Sequence, residues 1–318
     1  MSRYYLGLDI GGTKCAVVLG EETDGDIRVL KKERMDTDLS VSPEEMLGRM
    51  CESAKRLSEG YVVEGVGISC GGPLDSKTGR ILSPPNLLGW DDVHATEFCS
   101  NYLGIKTNLQ NDANACGYAE YKFGAGRGSE NMIFCTMGTG FGAGLVLNGR
   151  LYAGTSDNAG EIGHVRLSAE GPVGYGKRGS VEGYCSGGGI AQLGRIAALE
   201  VLQKGGSTAY CKSVSELDSV SAKSIAIAAD NGDETALEVY RECGRQLGRT
   251  LSIMIDIINP DTIVIGSVFA RSEHLIRQSM QEVIDRECLP GAAGVCKVVP
   301  AALGEALGDI AALSVATL

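Results

Sequence analysis

No stretch of this 318-residue chain approaches the roughly 20 apolar residues of a membrane-spanning helix. Its opening, "MSRYYLGLDIGG", has neither the charged start nor the apolar run of a secretory leader. Basic clusters are equally scarce. Nothing exceeds "KKER" at Lys31 to Arg34 and the net charge is −11, so long-range electrostatics oppose nucleic acid and anionic membranes as partners. The eleven cysteines are scattered singly without one C-x-x-C pair, which excludes a paired-thiol metal or redox motif and fits the reduced thiols of a cytoplasmic protein. Aromatic residues make up only 5%, and no low-complexity linker divides the chain. What remains is 43% hydrophobic, 22% charged and rich in glycine, with 45 residues, a globular composition long enough for two domains or one large α/β unit. A phosphorylated small ligand would have to be held by local N–H groups and a metal ion, since no basic field is available to hold it.

Hydrophobic periodicity predicts strands at Tyr4 to Ile10, Cys15 to Gly20 and Ile27 to Arg34. Ser42-Pro43-Glu44-Glu45 then writes an N-cap, a Pro at the first helical position and the Glu of a capping box, and Gly60 closes that helix. A strand at Val62 to Ser69, a Gly/Pro-rich loop from Gly71 to about Trp90, a helix near Val93 to Leu103 and a strand at Ile105 to Leu109 complete a first half. The pattern then restarts. Met132 to Met137 and Ala143 to Leu147 flank the turn "GTGFG", with an Asn148-Gly149 hairpin after them. Helices are expected near Ile190 to Gln203, Glu234 to Ile257 and Glu273 to Glu287, with a strand at Thr262 to Ile265. Both halves share strand, Gly/Thr turn, strand, so duplicated α/β domains facing one another across a cleft are expected, with a hinge near Asn111 to Ala115. A last helix over Leu303 to Val315 would cross back onto the first domain.

The chemistry-bearing residues cluster at the two turns and just after the fifth strand pattern. "LGLDIGGTK" sets Asp9, Gly11, Gly12, Thr13 and Lys14 at the end of a buried strand. Glycines there let backbone N–H groups approach an anion, Thr13 adds a donor, and Asp9 can hold hydrated Mg²⁺. The stretch is no P-loop, because Thr-Lys replaces Lys-Ser/Thr and a strand follows in place of a helix. "MGTGFGAG" supplies Gly138, Thr139 and Gly140, and fails as a dinucleotide fingerprint for the same reason of context. Two such turns in equivalent places can grip a polyphosphate. "LQNDANACG" puts Asn111, Asp112 and Asn114 together, which reads either as a turn and helix cap or as a positioned, reactive carboxylate.

In this order the motifs resemble the ROK family, bacterial sugar kinases and sugar-responsive repressors of the hexokinase/actin-like superfamily. "LDIGGTK" is similar to its first phosphate motif, "GISCGGPLD" with Gly71 to its sugar-side loop, "NDANACGYAEYKFGAG" to its catalytic segment, and "MGTGFGAGLVLNGRLYAG" to its second phosphate motif. "AGEIGH", "GSVEGYCSGGG" and "INPDTIVIGSV", the last with Gly266 on the adenosine side, extend the likeness over essentially the whole chain. The resemblance implies a duplicated actin-like/hexokinase-like (ribonuclease H-like) ATPase fold. It sets a small α/β domain at residues 1–112, joined by a C-terminal helix at about 302–318, and a large α/β domain at 113–301. It also implies ATP and Mg²⁺ as cofactors and a homodimer. Asp112 would be the general base on a sugar hydroxyl, the 6-OH, attacking the γ-phosphate. Asn111 would hold neighbouring hydroxyls, and Glu161, His164 and Glu182 the C1 to C3 edge of the ring, since carboxylates accept the O–H groups of vicinal diols.

One departure stands out. Between His164 and Glu182 the family carries three Cys that hold a structural zinc with that His. Here "GPVGYGKRGSVE" has Val173, Tyr175 and Ser180 at those places, none of which replaces a thiolate, so no zinc is expected. Something else must then orient His164. Glucose is the substrate the resemblance implies, and an N-acetylhexosamine such as N-acetylmannosamine or N-acetylglucosamine is the alternative. A sugar-sensing regulator without catalysis is a further alternative, although a strand beginning at Tyr4 leaves no room ahead of it for a helix-turn-helix.

Overall fold

The computed structural model describes residues 2–318. In chain order the elements are β1 (Arg3–Ile10), β2 (Lys14–Thr23), β3 (Asp26–Asp36), α1 (Pro43–Leu57), β4 (Val63–Cys70), β5 (Leu74–Asp75), β6 (Arg80–Ile81), α2 (Ala95–Leu103), β7 (Thr107–Asn111) and α3 (Asp112–Phe123). They continue with β8 (Met132–Met137), β9 (Phe141–Leu147), β10 (Arg150–Tyr152), β11 (Val173–Gly174), β12 (Lys177–Arg178), α4 (Val181–Cys185), α5 (Gly187–Gln203), α6 (Ala222–Asp230) and α7 (Glu234–Ile258). β13 (Thr262–Ile265), α8 (Val268–Glu287), α9 (Pro290–Ala293), β14 (Lys297–Pro300) and α10 (Leu307–Val315) close the chain. Two compact units result: residues 2–134, 144–159 and 302–318 form the first, and 135–143 with 160–301 the second.

The first unit is built on a mixed sheet of order β3-β2-β1-β4-β7. β1 runs antiparallel to β2 and parallel to β4, and β4 parallel to β7. Alternation sorts the residues of β1 onto two faces. Leu6, Leu8 and Ile10 join Met46, Leu47 and Met50 of α1 and the fully buried Trp90 in one core. Tyr5 lies on the opposite face and packs with Leu313 and Ala316. On that second face a Cβ at Gly67 would sit 2.1 Å from the Ala312 carbonyl oxygen, and one at Gly7 2.9 Å from the Leu313 nitrogen. Glycine is thus what lets the backbone of α10 lie directly on the sheet. α3 covers α10 in turn, through Ala115, Ala119 and Phe123 against Ile310, Ala311 and Val315.

The second sheet has the order β10-β9-β8-β13-β14, with β13 parallel to β14. Its longest helix, α7, starts where Asp233 accepts the Ala236 N–H and stops at Asn259, which takes the left-handed conformation with φ 51°. α1 begins at its expected cap, with the Ser42 hydroxyl accepting the Glu45 N–H, but the Glu45 carboxylate pairs with Arg49 and does not close a capping box. Among the described residues no helix is long and apolar enough to cross a membrane.

Some boundaries differ from the pattern reading. β7 runs two residues later than expected and ends on Asn111, because pairing with β4 selects the register. The final helix starts at Leu307, after a short 3-10 turn at Gly304–Ala306. α6, β14 and the β11/β12 hairpin were not anticipated, being short or weakly periodic.

Candidate active site

In the first unit, strand register assembles the site. Ile10 pairs with Cys70, and Cys70 pairs with Asn111, so the C-terminal ends of β1, β4 and β7 finish level with one another. The residues just beyond them therefore share one edge: Gly11 to Thr13 after β1, Gly71 after β4, and Asp112 after β7. Ligand sites of open α/β sheets form at such strand ends. The β1/β2 turn is held by the Gly11 N–H to the Lys14 carbonyl (3.2 Å) and by the Thr37 hydroxyl to the Gly11 carbonyl (2.6 Å), leaving Thr13 and Lys14 exposed. A Cβ on Gly12 would meet the Asn86 carbonyl oxygen at 2.5 Å, so the close seat of this turn requires glycine.

Asn111 settles part of the ambiguity in "LQNDANACG". Its side chain caps α3 by accepting the N–H groups of Ala113 (2.9 Å) and Asn114 (3.4 Å). The Gln110 side-chain oxygen accepts from the Asn111 N–H (2.9 Å) and the Asn114 amide (3.2 Å), and the buried Asn114 Oδ1 has no partner. Cap and carboxylate coexist. Asp112 stands at the first helical position, its Oδ1 accepting the Ala113 N–H at 2.7 Å. Its carboxyl reaches solvent, yet the protein displaces enough water around it to raise its pKa, against the pull of that backbone N–H. Asp9 is pushed up to about 6, first by burial, then by the charges of Asp112 and Asp309, with Lys32 opposing. Lys32 is ion-paired to Asp309 at the start of α10.

The second unit carries the remaining residues. In the turn between β8 and β9, the Gly138 N–H bonds the Gly140 carbonyl (3.0 Å), and the Gly187 N–H at the start of α5 bonds the Gly138 carbonyl (2.8 Å). Thr139 is exposed at its tip. Glu182, on α4, accepts the Phe141 N–H through Oε2 at 3.1 Å. A Cβ on Gly140 would approach the same oxygen to 2.8 Å. A 3-10 turn over Ile162–His164 follows Glu161, with the His164 N–H on the Glu161 carbonyl (3.1 Å), and both side chains are exposed. Ser180 spends its hydroxyl on capping α4 at the Gly183 N–H (3.1 Å). Gly266 follows β13, its N–H on the Cys135 carbonyl (2.9 Å).

Beside these turns lies a cavity of about 870 Å³, walled by Gly138, Thr139, Gly187 and Gly188 on one side and by Lys223, Asp230, Tyr240, Ser267 and Arg271 on others. Ser267 has φ 56° and ψ −113°, a conformation that side chains rarely adopt and that costs of order 1–3 kcal/mol. Strain of this kind concentrates at ligand sites. Of the cavity residues, only Gly138 and Thr139 were singled out from the sequence. Ser186 before three glycines was a visible helix-start signal; Lys223 and Arg271 carried none.

Comparison with known proteins identifies the family and the fold. The ROK family profile matches residues 5–317. The chain belongs to the ROK family. This ROK chain is 32% identical over 311 residues to a glucokinase of Thermotoga maritima, covering 98% of the chain and 96% of the relative. A ROK family glucokinase from Streptomyces griseus, solved with glucose and AMPPNP, is 28% identical with a TM-score of 0.75, covering 99% of both chains. A ROK hexokinase from Thermus thermophilus is 26% identical with a TM-score of 0.79, covering 100% of this chain and 98% of the other. The ROK chain thus has the actin-like/hexokinase-like ATPase fold expected of it.

Proposed function

We propose that this protein is an ATP-dependent hexose kinase that phosphorylates glucose at its 6-hydroxyl. The observation that carries the reading is the common register of β1, β4 and β7, which sets Asp112, Asn111, Gly71 and the Gly11 to Thr13 turn on one sheet edge. Asp112 is the general base that takes the proton of the attacking hydroxyl, and its raised pKa brings it closer to that of the proton it must hold. Phosphoryl transfer otherwise needs position and charge neutralisation more than covalent chemistry. Gly11, Gly12, Thr13 and Lys14 in the first unit, and Gly138, Thr139 and Gly140 in the second, hold phosphate oxygens. The 870 Å³ cavity, with Ser267 at its wall and Gly266 just before it in the chain, takes the nucleoside. Asn111, Glu161, His164 and Glu182 hold sugar hydroxyls.

Mg²⁺ fits Asp9. A carboxyl made costly to ionise by burial and by two neighbouring acids is one whose charge a divalent cation relieves. When bound through water it neutralises charge on the phosphates. We assign no zinc, since the Ser180 hydroxyl is occupied as a helix cap and Val173 has no donor atom.

The net charge of −11 supports a cytoplasmic enzyme with small-molecule partners and neither nucleic acid nor membrane. A homodimer is supported by exposed apolar side chains on α7, Ile253 at 39% and Ile257 at 73% exposure, and by Leu289 at 66%. The experiment is ADP release from ATP and Mg²⁺ across hexoses and N-acetylhexosamines, for wild type and Asp112→Asn. Glucose turnover that falls by about 10³-fold or more in the variant, with sugar binding kept, is expected. A variant with near-normal kcat would remove Asp112 from the base role, and preference for N-acetylmannosamine would replace glucose as the substrate.

A further inference from the structure

The segment between His164 and Glu182 breaks a local rule in plain view. β11 and β12 are joined by Tyr175 and Gly176, with φ 44° and 74°, a two-residue turn of left-handed residues. Asn or Gly is the ordinary occupant of the first position, and a bulky aromatic there costs roughly 1 kcal/mol. The side chain that incurs this cost is 79% exposed, so burial does not offset it. Its ring stands edge-on to the His164 imidazole, centroids 6.4 Å apart at an interplanar angle of 76°, the favoured T-shaped geometry.

The rest of the hairpin is pinned to the same neighbourhood. Lys177 Nζ donates to the His164 carbonyl oxygen at 2.7 Å, a charge-assisted bond to the 3-10 turn that carries the imidazole. The Gln192 amide on α5 clasps Val173 at both backbone groups, donating to its carbonyl (2.8 Å) and accepting its N–H (3.0 Å). Gly174 lies flat on α4, where a Cβ would come within 2.7 Å of the Glu182 Cβ and 2.5 Å of the Gly183 nitrogen. One hairpin therefore touches the turn bearing His164 and the helix bearing Glu182, and a third element fixes it in place.

We propose that the Val173 to Arg178 hairpin is a metal-free positioning device for His164: Tyr175 sets the ring direction, Lys177 fixes the backbone beneath it, and Gln192 anchors the hairpin. The inference rests on the reading of His164 as a sugar-binding residue. Supporting groups of this sort orient a ligating imidazole much as outer partners orient metal-bound histidines, where their loss costs 10–100-fold. Tyr175 and Lys177 are positioning residues and touch no reacting atom.

The test pairs kinetics with a readout of the ring itself. The chain has three histidines, so the imidazole C–H resonances are few enough to assign by substitution. Tyr175→Asn suits the turn and removes only the ring. The expected result is a moved His164 resonance with His94 and His274 unmoved, a sugar KM raised about tenfold, and kcat, the KM for ATP and the thermal midpoint kept or improved. Lys177→Met raises the sugar KM in the same way, and Lys177→Arg restores it. An unmoved His164 resonance overturns the proposal, as does a moved resonance with an unchanged sugar KM. Failure of the kinase reading shows separately, as a wild-type protein that turns over no sugar; the His164 resonance in Lys177→Met, which removes no aromatic ring current, still decides whether the hairpin directs the ring.

Discussion

Glu120 offers the sharpest stability test in the molecule. Its carboxylate is fully buried near the end of α3 and accepts three backbone N–H groups, from Ala125 (2.8 Å), Ala302 (3.2 Å) and Leu303 (2.9 Å). It thereby fastens the chain leading into α10 to the helix that Asp112 begins. Glu120→Ala strands all three amides away from water. At 1–3 kcal/mol for each buried donor left without a partner, and with some relief from water entering the vacated space, the loss comes to about 4 kcal/mol. Glu120→Gln is milder. Its amide oxygen can still serve Ala125 and Ala302, while its NH₂ faces the Leu303 N–H, donor against donor, for a loss of about 1–2 kcal/mol. The only tryptophan, Trp90, is buried in the core of the same unit, so its fluorescence during urea titration reads this unit directly. With urea slopes of about 2–3 kcal/mol/M, Glu120→Ala should lower the midpoint by more than about 1 M, with Glu120→Gln in between. A Glu120→Ala midpoint within about 0.3 M of wild type would refute the account, since it would mean that water serves the amides as well as the carboxylate does.

Further outcomes follow from the site. Gly140→Ala drives a methyl against Glu182 Oε2, 2.8 Å away, so the Glu182 to Phe141 bond must break and sugar KM should rise while the fold, followed by circular dichroism, is kept. Acid should weaken the free enzyme below about pH 6, as Asp9 and Asp112 take up protons; Asp309→Asn should move that limb of the kcat/KM profile to lower pH, because it removes a charge that raises Asp9. In stability the sign is reversed from a salt-bridged acid: the folded chain holds this proton more tightly than the unfolded one. The penalty of roughly 3 kcal/mol therefore appears as pH rises from 3.8 to about 6 and is absent below. Ser267→Gly relieves a strained backbone and should raise the thermal midpoint by a few degrees, at about 1 kcal/mol, with nucleotide KM showing whether the strain serves binding.

Periodicity made the long elements legible because one physical signal dominates each: β1, β2 and β8 are nearly continuous apolar runs, and α7 pairs a strong apolar stripe with the Asp233 cap. The two Gly/Thr turns were equally visible, since glycine at a strand end has few other reasons to recur. The role of Asn111 as a cap was readable from residue type alone, while the proximity of Asp112 to Asp9 was not, because it arises from the level ends of β1, β4 and β7. Lys223 and Arg271 carry no sequence signal for the same reason: they are ordinary surface-type cations until α6 and α8 bring them to one cavity. The hairpin at Tyr175 was hidden by its shortness, and its turn uses a residue that sequence rules disfavour there.

The bare glycine track on which α10 rests also governs the order of assembly. Asn108 reaches the Val315 carbonyl across 207 residues of chain, and Ser314 touches the Ala115 carbonyl across 199. A nascent polypeptide that has already delivered every strand of the first sheet still lacks the piece that shields one side of it, and the entire second unit must be translated before that piece emerges. The first unit is therefore finished after the second has been made, and until then an open apolar β surface waits in solution, where chaperone capture and a clogged exit are the hazards to expect.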